Sequence, residues 1–293
     1  MKKKLKEFGA DLALVSVAIV WGVTFLPMAE SLKTNGVFVI LFWRFLISAV
    51  LMSLISLKFV KKIDRNSVKF GVVLGVFLFG GFVLQTFALK YAFSSTVAFI
   101  TGLNVVFVPF IVFLFFRQRV YIYSFIGAFL SAGGLYLLSD SELGFGKGEI
   151  LSVLCAAVYS LHIIFTGVFV RKCELYVMVC TQFFVVTLLC MFAAIIFETH
   201  TFLPVLDAAF LKAVIITSVF GTVFAFFVQS AMQRYTTPMK TALIFTFEPV
   251  SAGLFGYFVG GEILSSLQIF GACLILFGII ISEVGSYYKS QKA

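Results

Sequence analysis

Two charged residues of this chain lie deep inside long apolar runs. Arg44 is the eighth residue of the run that begins at Val37, and Glu248 directly precedes Pro249 in the run that begins at Thr241. A charge at the centre of a bilayer costs at least about 2.5 kcal/mol on insertion scales, so each one requires an explanation. Arginine stays ionised and can hold a carboxylate, whereas glutamate can hold an amine or a proton. The two residues therefore predict a site for a small zwitterion.

Each charge also has a structural interpretation. Arg44 can instead form an ion pair, with Glu248 as one partner, or snorkel to an interface, although its depth argues against snorkelling. Glu248 can be uncharged and brace the kink at Pro249. Because proline disturbs the backbone bond to the carbonyl of Phe245, we expect a free acceptor near the carboxylate.

The polar residues of these runs recur in register when the chain is compared with itself. A shift of 144 positions aligns one set, a shift of 138 aligns the N-terminal set, and the difference of six fits one loop insertion. The matched pairs are Gln85 with Gln229, Asn104 with Glu248, Trp21 with Tyr159, Thr24 with His162, and Arg44 with Gln182. Such internal repeats are typical of transporters, in which two related bundles move about a shared site.

The amides differ in the role that their positions favour. Asn104 is predicted to line a cavity because its mate is Glu248, and Pro109 follows five residues later. Gln85 and Gln229 lie near opposite membrane faces, so hydrogen bonds to neighbouring helices are the favoured role for both.

Two aromatic residues and one histidine complete the set of candidates for a translocation pathway. Trp21 and Tyr159 fall near mid-depth, where they can stack on a substrate, form a gate or simply pack. His162 can accept a proton near neutral pH or serve as a hydrogen-bonded packing residue. Thr24, its mate, adds little by itself. Gln182 is neutral where Arg44 is charged, so the two halves of a cavity would differ in charge.

Composition places these residues in a membrane. The 293 residues are 61% hydrophobic and 12% charged, with a mean hydropathy of +1.11, whereas about a quarter of the residues in soluble domains are charged. Continuous apolar runs of about 20 residues predict helices rather than barrel strands. We expect kinks at Pro27, Pro109 and Pro249. The ten predicted spans are Leu12–Ala29, Val37–Leu57, Phe70–Leu89, Val97–Phe116, Tyr121–Leu138, Ile150–Val170, Leu175–Phe197, Leu211–Met232, Thr241–Gly260 and Leu267–Val284.

The basic residues predict the orientation. With the N-terminus inside, seventeen of the 22 Lys and Arg residues fall on the cytoplasmic side and four on the other, leaving Arg44 within a span. Both termini are therefore predicted to be cytoplasmic, and the net charge of +9 needs no nucleic-acid partner. Five spans per copy make the second copy enter from the opposite face. The fold class is thus an all-α integral membrane protein with ten transmembrane helices in two inverted five-helix repeats, residues 1–140 and 141–293.

The sequence gives no sign of an enzyme. It contains neither the HExxH nor the GxSxG pattern and no phosphate-binding loop. The five cysteines lack metal-ligand spacing, so packing is their favoured role. We therefore expect no catalytic residue, no metal and no cofactor.

Four segments resemble a known family. They are WGVTF (21–25), FWRFL (42–46), the SSTVAFITGLNVVFVPFIVFLFF run (94–116) and RYTTPMKTALIFTFEPVSAGLFGYFVGGE (234–262). The chain resembles the drug/metabolite transporter superfamily, EamA type, over essentially its whole length. Where the family often has Gly-Glu-Arg after helix four, this chain has Arg117-Gln118-Arg119. Only the second copy keeps the pair, as Gly261-Glu262, which we interpret as a loop feature.

The resemblance implies a secondary transporter of small organic metabolites, frequently an exporter of amino acids or related compounds. The alternatives are a facilitator, an importer of a nucleoside-like or sugar-linked metabolite, or a lipid flippase on the same fold. We expect a multi-pass protein of the cell (inner) membrane that works as a monomer. Its expected partners are a small-molecule substrate, membrane lipid and, through Glu248 or His162, protons.

Overall fold

The computed structural model describes residues 2–117, 121–138, 146–198 and 203–292, which contain helices and connecting turns but no strand. A 3₁₀ turn at Leu57–Lys62 and a π-helical segment at Val219–Phe224 accompany the α-helices. The α-helices are α1 (Lys2–Ser31), α2 (Val37–Ser56), α3 (Arg65–Ala88), α4 (Ser94–Thr101), α5 (Asn104–Phe116), α6 (Ile122–Leu138), α7 (Lys147–Phe169), α8 (Leu175–Phe197), α9 (Ala208–Ser218), α10 (Ala225–Met232), α11 (Pro238–Ile244), α12 (Phe247–Phe258) and α13 (Ser266–Lys292).

The described helices have the length and composition of membrane spans. Eight stretches are long and apolar enough to cross a bilayer, and two shorter apolar helices lie at Ile122–Leu138 and Ser266–Ser282. The all-helical membrane class predicted from composition is therefore confirmed. The eight stretches are Phe8–Ser31, Val37–Phe59, Arg65–Ala88, Ser94–Phe116, Lys147–Phe169, Leu175–Phe197, Ala208–Met232 and Lys240–Phe258.

Two of these spans are interrupted near their middle. The helix breaks at Gly102–Leu103, between α4 and α5, and at Phe245–Thr246, between α11 and α12. Asn104 is therefore the first residue of α5, and Glu248 is the second residue of α12. The carbonyl of Phe245 accepts the backbone N–H of Glu248 at 2.9 Å. The expectation of a free acceptor there is wrong, because the break tightens into a turn that uses this carbonyl.

Of the three prolines expected to kink helices, Pro27 lies in α1 and Pro109 in α5, and both helices continue past the proline. The break that precedes α5 comes six residues before Pro109. A third irregular span joins α9 to α10 through the π-helical segment. Single π-helical turns of this kind occur frequently at functional sites.

The described helices pack around several apolar clusters, one of which includes residues of α6 and α13. The largest cluster is centred where α2 and α3 pack against α8, and its fully buried residues include Phe45 and Phe183, whose ring centroids lie 6.1 Å apart. Aromatic rings of this size dominate the area that such a cluster buries.

Glycines bring α6 and α13 into close contact. A Cβ atom on Gly134 would lie 2.6 Å from the carbonyl oxygen of Gly271, and one on Gly278 would lie 2.7 Å from that of Gly127. The later glycine of α6 contacts the earlier glycine of α13, and the earlier contacts the later, so the two helices are antiparallel. The 144-residue shift relates Gly127 to Gly271 and Gly134 to Gly278, so the contact occurs twice with the roles exchanged. Small residues of this kind allow backbones to approach closely in membranes.

In each half of the chain, an aspartate caps the N-terminus of the third helix. Asp64 accepts the backbone N–H of Ser67 at 2.9 Å, and Asp207 accepts that of Phe210 at 2.7 Å. The hydroxyl and the backbone N–H of Ser67 lower the pKa of Asp64. The N–H of Phe210, together with the hydroxyl of Thr34, lowers the pKa of Asp207. Both caps satisfy orphan donors at a helix start.

Candidate substrate chamber

A chamber lies between the helices, midway along the spans. Its cavity volume in this conformation is about 40 Å³. Nine of the ten sequence-predicted pathway residues line it, and Gln182 is the exception. The lining residues are Trp21, Thr24, Phe25, Arg44, Phe82, Gln85, Asn104, Tyr159, His162, Ile163, Phe226, Gln229, Phe245 and Glu248.

Gln182 lies one layer behind the chamber. It is fully buried, and its Oε1 is 3.2 Å from Nε2 of His162. The imidazole itself packs edge-on against Phe226, with centroids 5.6 Å apart. Gln182 therefore orients His162, while the histidine is the member of this pair that faces the chamber.

Arg44 is held in place by neutral groups. Its Nε donates to Oγ1 of Thr222 at 2.8 Å, and one terminal nitrogen donates to the carbonyl of Gly221 at 3.2 Å. The guanidinium carbon lies 4.3 Å from the ring centroid of Phe82, a cation–π arrangement. In the described part of the chain no carboxylate lies within ion-pair distance of Arg44. The alternative of an Arg44–Glu248 ion pair is therefore wrong.

The π-helical segment supplies both acceptors that Arg44 uses. It presents the Gly221 carbonyl toward the chamber, where the indole N–H of Trp21 also donates to it at 2.9 Å. Next to it, the hydroxyl of Ser218 donates to the backbone carbonyl of Arg44 at 3.0 Å. The hydroxyl of the fully buried Ser48 donates to the Ser218 carbonyl at 3.2 Å and adds a second bond between α2 and α9. These bonds fix α2 against α9 and so fix the direction of the arginine.

Glu248 enters the chamber from the start of α12. Its side chain is 7% exposed, and among the described residues its carboxylate has no hydrogen-bond or ion-pair partner. Gly22 allows α1 to approach this point, because a Cβ there would lie 2.5 Å from the Glu248 carbonyl oxygen. The first turn of a helix is also the electrostatically favourable end for a negative charge.

The two glutamines behave differently although the repeat relates them. Gln85 accepts the hydroxyl of Tyr159 at 3.3 Å, which joins α3 to α7 as predicted. Gln229 is fully buried, and in the described part of the chain neither its Nε2 nor its Oε1 has a partner. The expected helix–helix hydrogen bond is therefore wrong for Gln229. The Oδ1 atom of Asn104 is likewise buried without a partner among these residues.

Contacts of the chamber wall occur in matched pairs. Trp21 packs on Phe226 with centroids 5.1 Å apart, and Tyr159 packs on Phe82 with centroids 5.8 Å apart. The shifts of 138 and 144 relate the first pair to the second. The phenylalanines were missed from the sequence because 39 of them fill every span. The 144-residue shift was the signal that relates Phe82 to Phe226.

The chamber offers binding groups rather than a catalytic or metal centre. Among the described residues, no three His, Cys, Asp or Glu side chains are grouped as metal ligands. Instead, one guanidinium, one carboxylate and two amides with unpartnered atoms converge on a space walled by aromatic rings. Such an arrangement can bind and release a small polar molecule at the middle of a membrane.

A multi-pass helical protein with a polar chamber between its helices has the architecture of a membrane transporter. The chain belongs to the EamA-like transporter family, whose model matches residues 8–140 and again residues 146–283. It is 32% identical over 277 residues to an uncharacterized transporter of Archaeoglobus fulgidus, a match that covers 94% of this chain and 86% of the relative. The predicted family and the prediction of a transporter rather than an enzyme are thus confirmed.

The fold itself is similar to one seen in a crystal structure. That structure superposes with a TM-score of 0.70 at 18% sequence identity, covering 94% of this chain and 96% of the other. At this level of identity the likeness concerns the fold alone.

Proposed function

We propose that the protein exports a small zwitterionic metabolite, an amino acid or a related compound, by alternating access across the cell (inner) membrane. The observation that carries this proposal is that Arg44 and Glu248 line one buried chamber and neither has an ion-pair partner among the residues that the structure describes. In this role Arg44 receives the carboxylate of the substrate and Glu248 its amine.

The energetics favour a ligand that carries both charges. An unpaired charge held away from water costs several kcal/mol, and an opposite charge at hydrogen-bond distance offsets much of that cost. A substrate with a single charge would neutralise one of the two residues and leave the other unpaired. A zwitterion of matching size neutralises both at once and carries no net charge through the membrane.

Alternating access requires two bundles that move about this site. We assign these to two inverted five-helix repeats, residues 1–140 and 141–293, in a ten-helix chain with both termini in the cytoplasm. Support comes from the two family matches, the antiparallel α6–α13 contact and the bias of Lys and Arg residues. Ten helices are enough to enclose a pathway alone, so the protein is proposed to act as a monomer.

The test is counterflow of labelled amino acids in proteoliposomes that contain the purified protein. E248Q and R44A are expected to abolish flux while leaving the yield and melting temperature of the purified protein near those of the wild type. E262Q is the matched control, because it makes the same carboxylate-to-amide change outside the chamber and should retain flux. Wild-type flux in E248Q would remove the assigned role of that carboxylate.

The same proteoliposomes test whether transport is coupled to protons. If Glu248 exchanges a proton for the amine of the substrate, an imposed pH gradient will change the steady-state accumulation of the amino acid. Flux that is indifferent to the gradient would make the protein a facilitator and remove protons from its partners.

A further inference from the structure

We infer that Gln229 selects substrates whose side chains carry a hydrogen-bonding group, an inference that rests on the proposed transport of zwitterions. Gln229 lines the chamber, is 0% exposed, and has neither of its amide atoms bonded within the described part of the chain. A buried amide without partners is unfavourable, because each unsatisfied group has lost its hydrogen bonds to water. The residue is thus ready to bond a molecule that enters the chamber.

The repeat explains why this amide is unpartnered. Its mate Gln85 is satisfied by the hydroxyl of Tyr159, but the mate of Tyr159 is Trp21. The indole N–H of Trp21 donates to the carbonyl of Gly221 instead, at 2.9 Å. The π-helical segment therefore takes the donor that would otherwise reach Gln229. This departure from the symmetry of the repeat leaves one donor and one acceptor facing the chamber.

A second amide adds another acceptor. The backbone carbonyl of Asn104 is bonded to the hydroxyl of Ser160 at 2.8 Å, whereas its Oδ1 is buried and unpartnered. The charges of the substrate are already matched by Arg44 and Glu248. The amide groups are therefore left for the side chain of the substrate, which must offer a hydroxyl or an amide to satisfy them.

The consequence is selection against apolar substrates of the same shape. Sites that hydrogen-bond a substrate group reject the analogue that lacks it, because their own buried polar groups then stay unpaired. A single unsatisfied group of about 1–3 kcal/mol corresponds to a roughly 5- to 150-fold difference in affinity. The chamber is expected to favour the polar member of a matched pair of amino acids by at least about tenfold.

The experiment measures competition in the proteoliposome assay with three nearly isosteric pairs. These are asparagine and leucine, threonine and valine, and tyrosine and phenylalanine. The wild type should prefer the polar member of each pair by at least tenfold, and Q229L should reduce this preference to less than about threefold. Q233L is the matched control, since it makes the same change one turn along, outside the chamber, where Gln233 donates to the Ile163 carbonyl at 3.2 Å while its Oε1 has no partner among the described residues.

Melting of the ligand-free protein gives a second readout. Q229L removes two unsatisfied buried atoms and no bond, so it should raise the melting temperature more than Q233L, which removes one unsatisfied atom but also leaves the Ile163 carbonyl without its bond. If Q229L does not fold, Q229M serves in its place. Equal transport of both members of each pair by the wild type, or an undiminished preference in Q229L, overturns the role of Gln229 but leaves zwitterion transport standing. If no zwitterion moves or binds at all, the proposed function fails and this inference fails with it.

Discussion

The side chain of Arg44 is oriented by neutral groups, which do not compensate its positive charge. Thr222 and the Gly221 carbonyl accept two of its N–H groups, and the ring of Phe82 lies beneath its plane. Arginine has five donors in a fixed planar fork, so further donors remain for a substrate carboxylate. The residue is therefore both anchored and available, which an ion pair with Glu248 would have prevented.

The anchoring predicts that lysine cannot replace this arginine. An ammonium group is a point charge that cannot bond Thr222 and the Gly221 carbonyl while lying flat over Phe82. We expect R44K to retain some flux but to raise the KM of counterflow by at least about tenfold, the equivalent of one charged hydrogen bond of about 1.5–3 kcal/mol. T222V, which removes the acceptor of one bond without changing shape, should raise KM in the same direction. A KM for R44K equal to that of the wild type would contradict the role of the planar fork.

At the scale of the elements, carboxylates from distant segments cap helix starts. Glu262, in the turn before α13, accepts the backbone N–H groups of Ser94 at 2.9 Å and Ser95 at 3.0 Å, as well as the hydroxyl of Ser94 at 2.6 Å. In the same way Glu198 accepts the N–H groups of Phe38 and Val39 at the start of α2. The loop assignment of Glu262 made from the sequence agrees with this position, and the carboxylate does not line the chamber.

This cap makes a prediction about stability. E262A should lower the free energy of unfolding in detergent by about 1–2 kcal/mol, because it removes both a cap and a favourable charge at the start of α4. E262Q keeps one acceptor and should fall between E262A and the wild type. Glu30 is exposed on α1, so E30A is the control and should leave stability unchanged within about 0.5 kcal/mol. Equal stability of E262A and E30A would show that the cap contributes nothing.

The sequence predicts the elements better than it predicts their partners. Apolar runs identify the spans because span length depends on local composition, and shifting the chain against itself identifies nine lining residues because matched positions face one axis. The break at 245–246 has a local signal in Pro249, whereas the π-helical segment and the break at 102–103 were not predicted from the sequence. The free amide of Gln229 depends on where Trp21, about 200 residues away, directs its N–H. Hydrogen-bond partners of this kind are determined only when elements distant in the sequence pack together.

At the scale of the whole molecule, the two ends of the chamber differ. At one end Arg234 donates to the carbonyls of Val170 at 3.1 Å and Cys173 at 3.2 Å, and Arg171 donates to that of Thr236 at 3.0 Å. An ion pair of 2.8 Å between Lys240 and Asp11 lies at the same end. The repeat-related positions are Lys90, Lys33 and Thr96, and among the described residues none of these makes the corresponding bond. The bonds of Arg234 and Arg171 lie within the second copy, whereas at the opposite end the hydroxyl of Thr34 donates to Asp207 at 2.7 Å and Asn35 bonds both backbone groups of Val205, so bonds join the two copies there.

The bonds between the copies predict a shift between the two access states. N35A removes the two hydrogen bonds that join Asn35 to Val205 in this state, and a loss of about 1 kcal/mol changes the ratio of the states about fivefold. The reporter is I163C in a variant without the five native cysteines, treated from either side of the membrane with an impermeant thiol reagent. We expect N35A to speed labelling from the side opposite Arg234 about fivefold and to slow it from the other. R234A is the control and should leave both rates near those of the parent, because its two bonds lie within the second copy. Equal labelling of N35A and R234A from both sides would mean that the Asn35 bonds tie loops together without controlling access.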